Sequence, residues 1–270
     1  MEKSRPIPTF RRSLTQATIA LLGATALGIA ACGGGGGGGG DGTIGNERPL
    51  DSSQPASTSG QVTVFDAPLN APWGLAFLPD GRMLVSEKGG SMAIVSSDGA
   101  RVDTRLSGLP GNIDTSGQGG LLDVVYDGGW IYFTFSELGA GGSGTALARA
   151  QLNGNALQNV AVIWRQAPKV GGGIHYGSRI ALAADGTLFL AVGERGVEAN
   201  NGTSRGDGSA VQNSANSIGK VLRLNRDGSV PGGNPSFGAN AAPGLWSLGH
   251  RNPQGAAVRP GSNELWITEQ

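Results

Sequence analysis

The side chains with the widest chemical reach are gathered in four short stretches. Leu245-Trp246-Ser247-Leu248-Gly249-His250-Arg251-Asn252-Pro253-Gln254-Gly255 brings an imidazole, a guanidinium and two amides together around residues that kink the backbone, and reads as a polar loop. The others are Gln118 in Gly117-Gln118-Gly119-Gly120, His175 in Gly171-Gly172-Gly173-Ile174-His175-Tyr176-Gly177, and Arg195 in Gly193-Glu194-Arg195-Gly196. A neutral imidazole accepts a proton near neutral pH, and a guanidinium aimed at a forming anion stabilises it where water is excluded. Amides orient a bound molecule through their hydrogen bonds. Together these groups suit proton abstraction with charge stabilisation, provided the stretches converge. A Gly-Pro turn with polar side chains in water is the plainer reading of the loop around His250 taken alone.

Convergence has to come from the elements between them, and those elements repeat. Gly74 to Glu87 reads as a strand, a turn at Asp80-Gly81 and a second strand that ends on Glu. The pattern returns at Leu121 to Glu137 around Asp127-Gly128, at Arg179 to Glu194 around Asp185-Gly186, and at Gly255 to Glu269 around Pro260-Gly261. Asp-Gly between alternating apolar residues is a strong hairpin signal. Further strands are expected at Met92 to Val95, Arg101 to Leu106, Ala146 to Leu152 and Lys220 to Leu224, giving about four strands per unit at the roughly forty-residue spacing of a propeller blade. No segment of the folded part shows a helical period. The expected fold is therefore an all-β propeller, whose ligands sit over the central channel, and each candidate loop lies just before or just after a repeated hairpin. About four blades are present, and the last hairpin stops at its second strand, so the sequence reads as a fragment: an open arc with bared edges and apolar faces.

Composition narrows the partners. Twenty basic residues balance twenty acidic ones, so no broad basic surface is available for nucleic acid. The 49 glycines fall largely between short β-branched or aromatic runs, as many tight turns require. Residues 1–32 read as a lipoprotein-type export signal: Lys3, Arg5, Arg11 and Arg12 precede the apolar run Ile19 to Ala31, which is too short to span a membrane. Ile29-Ala30-Ala31-Cys32 is similar to a lipobox, and Cys32, the chain's single cysteine, is the expected site of lipidation. The alternative is an ordinary secretory signal with an incidental Cys. Residues 33–60 open with eight glycines and continue polar, a flexible tether. Folded structure is expected over 61–270, carried by an exported, periplasmic or cell-envelope lipoprotein held to a membrane by its anchor. The route, Sec or twin-arginine, stays open.

Five motifs occur in order: G-Q-G-G-L-L at Gly117, H-Y-G-S-R at His175, G-E-R-G at Gly193, I-G-K-V-L-R-L-N with D-G-S-V-P and N-P-S-F at Ile218 to Phe237, and L-G-H-R-N-P-Q-G at Leu248. With them the sequence resembles the soluble quinoprotein sugar dehydrogenases, the glucose/sorbosone dehydrogenase family, from about Pro72 to Gln270. The resemblance implies a six-bladed β-propeller that holds pyrroloquinoline quinone (PQQ) and calcium and oxidises the anomeric hydroxyl of aldoses to lactones, passing electrons to an acceptor. It implies His175 as the general base, Arg251 and Asn252 as cofactor contacts, and Gln118 as a substrate contact; Arg195, where the family often has a different polar residue, is read as a further cofactor contact, and His250 as structural or as support behind the site. Ile174 departs from the glucose-specific members, which carry an acidic residue there, and favours a broader aldose. The family's calcium carbonyls follow the position of Gln270, so no metal ligand is assigned and the fragment alone is expected to be inactive. Two other readings stand beside this one: a calcium-dependent lactone hydrolase, which needs a cage of Asp, Asn and Glu, and a non-catalytic lipid-anchored propeller that binds glycans or proteins.

Overall fold

The computed structural model of the protein describes residues 66–196 and 209–270. The expected export signal, Cys32 and the tether lie outside the described residues. The described chain is almost entirely antiparallel sheet, in four successive units. The first sheet runs β1 (Pro72–Phe77), β2 (Met83–Glu87), β3 (Ser91–Val95), β4 (Val102–Arg105). The second runs β5 (Leu121–Asp127), β6 (Trp130–Gly139), β7 (Gly142–Asn153), β8 (Ala156–Arg165). The third holds β9 (Gly177–Leu182), β10 (Thr187–Val192), β11 (Lys220–Asn225) and β12 (Leu245–Leu248), with a one-turn helix α1 (Ser209–Gln212) in the long connection between β10 and β11. The fourth is the pair β13 (Pro253–Val258) and β14 (Leu265–Glu269).

Each sheet is a meander that starts at its inner strand. The inner strands pack in sequence, β1 on β5, β5 on β9 and β9 on β13, which is the arrangement of propeller blades around an axis. The repeated hairpins are β1–β2, β5–β6, β9–β10 and β13–β14, as the turn signals require, and Gly186 at the third turn adopts a φ of 83° that suits glycine.

Strand alternation explains why the central strands read as nearly continuous apolar runs. Along β6, Phe133 and Phe135 face the first sheet and pack with Leu84, Met92 and Ile94, while Tyr132, next to Phe133 in the strand, faces the third sheet. Along β10, Leu188, Leu190 and Val192 pack back toward the second sheet, and Phe189 points forward to Ala256, Val258 and Ile267 of the fourth unit. A strand sandwiched between blades has no polar face. The outward face of the first sheet, Met83, Val85 and Val95, is covered by Ala67 and Leu69. Beyond that cover two large apolar side chains stay exposed, Phe77 at 67% and Trp266 at 62%.

The structure corrects one expectation. The stretch 245–255 is not a single loop, because Leu245–Leu248 forms the outermost strand of the third sheet and Pro253–Val258 the inner strand of the fourth. Trp246 packs edge-on against Phe189, ring centroids 5.2 Å apart, which anchors β12 and leaves only residues 249–252 as the crossing between blades. Strand β8, which follows the Asn153-Gly154 turn, is an element that the sequence pattern did not single out.

Candidate functional site

Inner strands from all four units enclose a cleft of about 350 Å³, lined by Trp73 and Lys88 from the first unit, Gln118 and Leu122 from the second, Tyr176 and Gly177 from the third, and Asn252, Gln254 and Gln270 from the fourth. Its floor is tied together by Arg179 on β9. The guanidinium donates from Nη1 to Asp123 Oδ1 of β5 at 2.8 Å and from Nε to the Gln254 carbonyl of β13 at 3.0 Å, and it lies over the Trp73 ring of β1, 5.0 Å from the centroid. Asp123 Oδ2 accepts the Ile180 N–H at 2.7 Å. Burial raises the Asp123 carboxyl pKa, and the adjacent Arg179 charge and these N–H bonds work against that rise. One partly buried guanidinium thus contacts all of the four inner strands.

His175 stands at the end of the connection from β8 to β9, and only 9% of its side chain is exposed. Its Nδ1 is in close contact with Glu194 Oε1, which follows β10. A carboxylate can only accept, so in the neutral imidazole Nδ1 carries the hydrogen and Nε2 keeps its lone pair. Nε2 has no hydrogen-bond partner among the described residues. The backbone is equally constrained. The His175 N–H donates to Gln118 Oε1 at 2.9 Å, and the Gln118 N–H donates to the Gly173 carbonyl at 2.6 Å. With its oxygen engaged, Gln118 has its amide NH₂ left for the cleft. His175 is held at a φ of 53°, unusual for a residue with a side chain, and Gly193 allows the approach: a Cβ there would stand 2.0 Å from the His175 carbonyl oxygen.

The fourth unit brings Arg251 and Asn252 to this place. The Glu194 N–H donates to the Arg251 carbonyl at 2.8 Å, so the carboxylate behind the imidazole and the guanidinium-bearing residue are joined through the main chain. Asn252 is buried; its Oδ1 accepts the Gly177 N–H at 3.1 Å and the Gln254 Nε2 at 2.8 Å, while Nδ2 donates to Gln270 Oε1 at 3.0 Å. The Arg251 side chain is exposed, with Nη1 3.3 Å from the Gln270 carbonyl, and it lies outside the residues that line the cleft. His250 is bonded through Nδ1 to Glu269 Oε2 at 2.9 Å and through Nε2 to Ser247 Oγ at 2.7 Å, while the other Glu269 oxygen accepts the Arg251 N–H.

Arg195 does not stand where a cofactor contact would need it. It is fully buried, and its guanidinium is taken up by carbonyls of Ser143, Gly172 and Ile174 and by the face of Tyr176, which leaves no surface for a ligand. The residue that sequence reasoning passed over is its neighbour Glu194. Its signal was the recurrence of Glu at the end of each second strand: Glu87, Glu137, Glu194 and Glu269. In the first unit Glu87 clasps Arg105 of β4 through Nε at 2.9 Å and Nη2 at 3.0 Å. Burial alone raises its pKa, but Arg105, Ser91 and the Asn70 N–H outweigh that and bring it down to about 2. In the second unit Glu137 binds Arg165 and Lys169. In the third the same position meets an imidazole.

The donor set bears on what the cleft holds. Amides, the Lys88 side chain and two aromatic rings line it and no carboxylate does, which fits a planar anionic ligand, and the volume falls within the usual range for small-molecule sites of about 300–1,000 Å³. Among the described residues no group of three or more His, Cys, Asp or Glu side chains is placed to hold a metal ion.

Comparison with known proteins follows the same lines. The glucose/sorbosone dehydrogenase family profile matches residues 69–270. The aldose sugar dehydrogenase YliI of Escherichia coli is 36% identical over 226 residues, covering 79% of this chain and 57% of that protein. The apo crystal structure of the soluble aldose sugar dehydrogenase of Escherichia coli superposes with a TM-score of 0.67 at 34% identity, over 75% of this chain and 58% of that one. The PQQ-bound aldose sugar dehydrogenase of Streptomyces coelicolor gives a TM-score of 0.60 at 31% identity, over 74% and 57%. The chain therefore spans less than two thirds of the length of these relatives. With its profile covering every described strand, the chain belongs to the glucose/sorbosone dehydrogenase family.

Proposed function

We propose that the protein is a quinoprotein oxidoreductase that oxidises the anomeric hydroxyl of an aldose to the lactone, with His175 as general base. The observation that carries this reading is the His175–Glu194 pair beside a cleft built from all four units. The carboxylate fixes the tautomer and stabilises the imidazolium that forms, and Nε2 is left to accept a proton. The chain's similarity to aldose sugar dehydrogenases, one of them solved with PQQ, supports the substrate class and the cofactor.

When bound, PQQ supplies the two-electron acceptor, which no side chain of this protein can be. Lys88, Gln254 and Gln270 are the residues that would hold it, by charge and amide hydrogen bonds, against Trp73. His175 takes the hydroxyl proton at Nε2. Gln118 offers its NH₂ to a substrate oxygen while its own oxygen keeps the His175 backbone in place. Asn252 braces the wall between Gly177 and Gln270, and Arg251 is tied to Glu194 through the main chain. No step is assigned to calcium; it stays in the proposal as a requirement to be tested by chelation. A lactone hydrolase would need the acidic cage that the described residues lack.

The proposal includes export and lipidation at Cys32, with a membrane-proximal electron acceptor, supported by the position of Cys32 directly after the apolar run. Mass spectrometry of the processed N-terminus is expected to show an acylated Cys32, and a mature protein cleaved elsewhere would remove the anchor. The catalytic proposal is tested by dye reduction with purified protein: activity is expected with PQQ, calcium and several aldoses, and none without PQQ. PQQ-independent activity, or hydrolysis of lactones without redox, would replace it.

A further inference from the structure

Arg195 presents a problem that the proposed reaction does not solve. It is the largest of the side chains with essentially no exposed surface, and no carboxylate lies within ion-pair distance of it among the described residues. Burying a guanidinium in this way is costly, and burial lowers its pKa. Such a group persists where its five donors, held in a rigid plane, do something that nothing smaller does.

What it holds is the segment around His175. Nε donates to the Ile174 carbonyl at 3.0 Å, Nη2 to the Gly172 carbonyl at 2.6 Å, and Nη1 to the Ser143 carbonyl of β7 at 2.7 Å. The guanidinium carbon lies 3.5 Å from the centroid of the Tyr176 ring, and the Tyr176 hydroxyl is bonded to Ser143 Oγ at 2.8 Å. The main-chain N–H of Arg195 donates to the His175 carbonyl at 3.2 Å. Residues 172, 174, 175 and 176 are thus fastened to one residue, in a stretch that has no strand ladder and holds His175 at a left-handed φ. Glu194, which fixes the imidazole, is its immediate neighbour in the chain.

We infer that Arg195 is a positioning residue: its planar fork, clamped between β7 and the Tyr176 ring, fixes the backbone on both sides of His175 so that the imidazole meets Glu194 and the cleft together. The inference rests on the reading of His175 as the proton acceptor. It separates Arg195 from cofactor binding. Lysine keeps the charge but cannot reach three carbonyls in one plane while stacking on a ring.

The test is Arg195→Lys in the whole protein, with near-ultraviolet circular dichroism to establish the fold. The chain has only two histidines, so long-range ¹⁵N–¹H spectra resolve the ring nitrogens of His175, assigned with His175→Gln. The wild type is expected to show a single Nδ1–H form, and the folded variant to lose it to a mixture. In the PQQ-loaded enzyme kcat is expected to fall about 10- to 100-fold, the scale of a reacting group displaced by about 1 Å, while PQQ affinity by absorbance titration changes less than about threefold. An unchanged His175 signature in the folded variant overturns the inference, and so does a large loss of PQQ affinity, which would make Arg195 a cofactor contact after all. A shifted signature in a protein that oxidises no aldose leaves Arg195 in its positioning role and removes the proposed function instead. Should Arg195→Lys not fold, Ser143→Ala takes its place, since it removes the bonds to Tyr176 and to Nη2 at 3.4 Å and leaves the carbonyl. Movement of the same resonances supports the clamp, and their constancy refutes it.

Discussion

Replacing Glu194 by Gln tests whether the buried carboxylate acts on the imidazole or only fills space. The substitution keeps the side chain's size in a site where both partners are nearly inaccessible, the imidazole 9% and the carboxylate 4% exposed. At the imidazole it removes the charge-assisted hydrogen bond to Nδ1, worth about 1.5–3 kcal/mol in such surroundings. As the imidazole gains charge on accepting a proton, most of that loss falls in the transition state. Because every 1.36 kcal/mol is tenfold in rate, kcat is expected to drop about 10- to 150-fold with little change in KM. An amide also offers an N–H to Nδ1, which selects the tautomer with its hydrogen on Nε2 and deepens the loss. The assay is steady-state dye reduction with PQQ-saturated enzyme, alongside the ring-nitrogen spectrum of His175. A kcat within twofold of wild type would refute the argument, because a carboxylate that merely occupies volume is replaced by Gln without kinetic cost.

Other predictions rest on stability. Glu87 is held at about 2 against an ordinary value near 4.5, and a lowered carboxyl contributes stability that is complete above the unfolded pKa and lost as pH falls through the folded one. Glu87→Gln is expected to cost about 2 kcal/mol at pH 7, after allowing for screening at the half-exposed Arg105, and the gap in thermal midpoint should close between pH 4.5 and 2; a constant gap would contradict the clasp. Ser178 combines a φ of 87° with a buried hydroxyl that has no partner among the described residues. Ser178→Gly removes both costs, each about 1 kcal/mol or more, against about 0.5–1 kcal/mol for the added freedom of glycine, so the thermal midpoint should rise by a few degrees. A fall in the midpoint would show that the hydroxyl is satisfied by bound water.

The fold was legible because its signals are local. Turn dipeptides such as Asp80-Gly81 and Asp185-Gly186, set between period-two apolar runs, dictate hairpins whatever lies around them. Strand β8 follows a turn with the same signal, but four of its residues are exposed in succession and no alternation marks them. The stretch around His250 misled for the opposite reason. Its polar residues look like a loop, while Leu245, Trp246 and Pro253 spend their side chains on the blades to either side. At the site, residue types pointed to His175, Gln118 and Asn252, and the structure draws them together through Gly177 and the Gln118 amide. Glu194 was not singled out and Arg195 was, because an exposed guanidinium and a buried one look alike in one dimension. Only burial tells them apart, and burial depends on β7, some fifty residues earlier in the chain.

The most direct test of the account is the rate at which an aldose reduces the PQQ-loaded His175→Ala protein, with retention of the cofactor verified by its absorbance. If Nε2 of His175 takes the hydroxyl proton, that rate falls about 10²- to 10⁴-fold, the usual contribution of a positioned base. A rate equal to that of the wild type, with the cofactor equally bound, would contradict the assignment of His175 and with it the chemistry built on the His175–Glu194 pair.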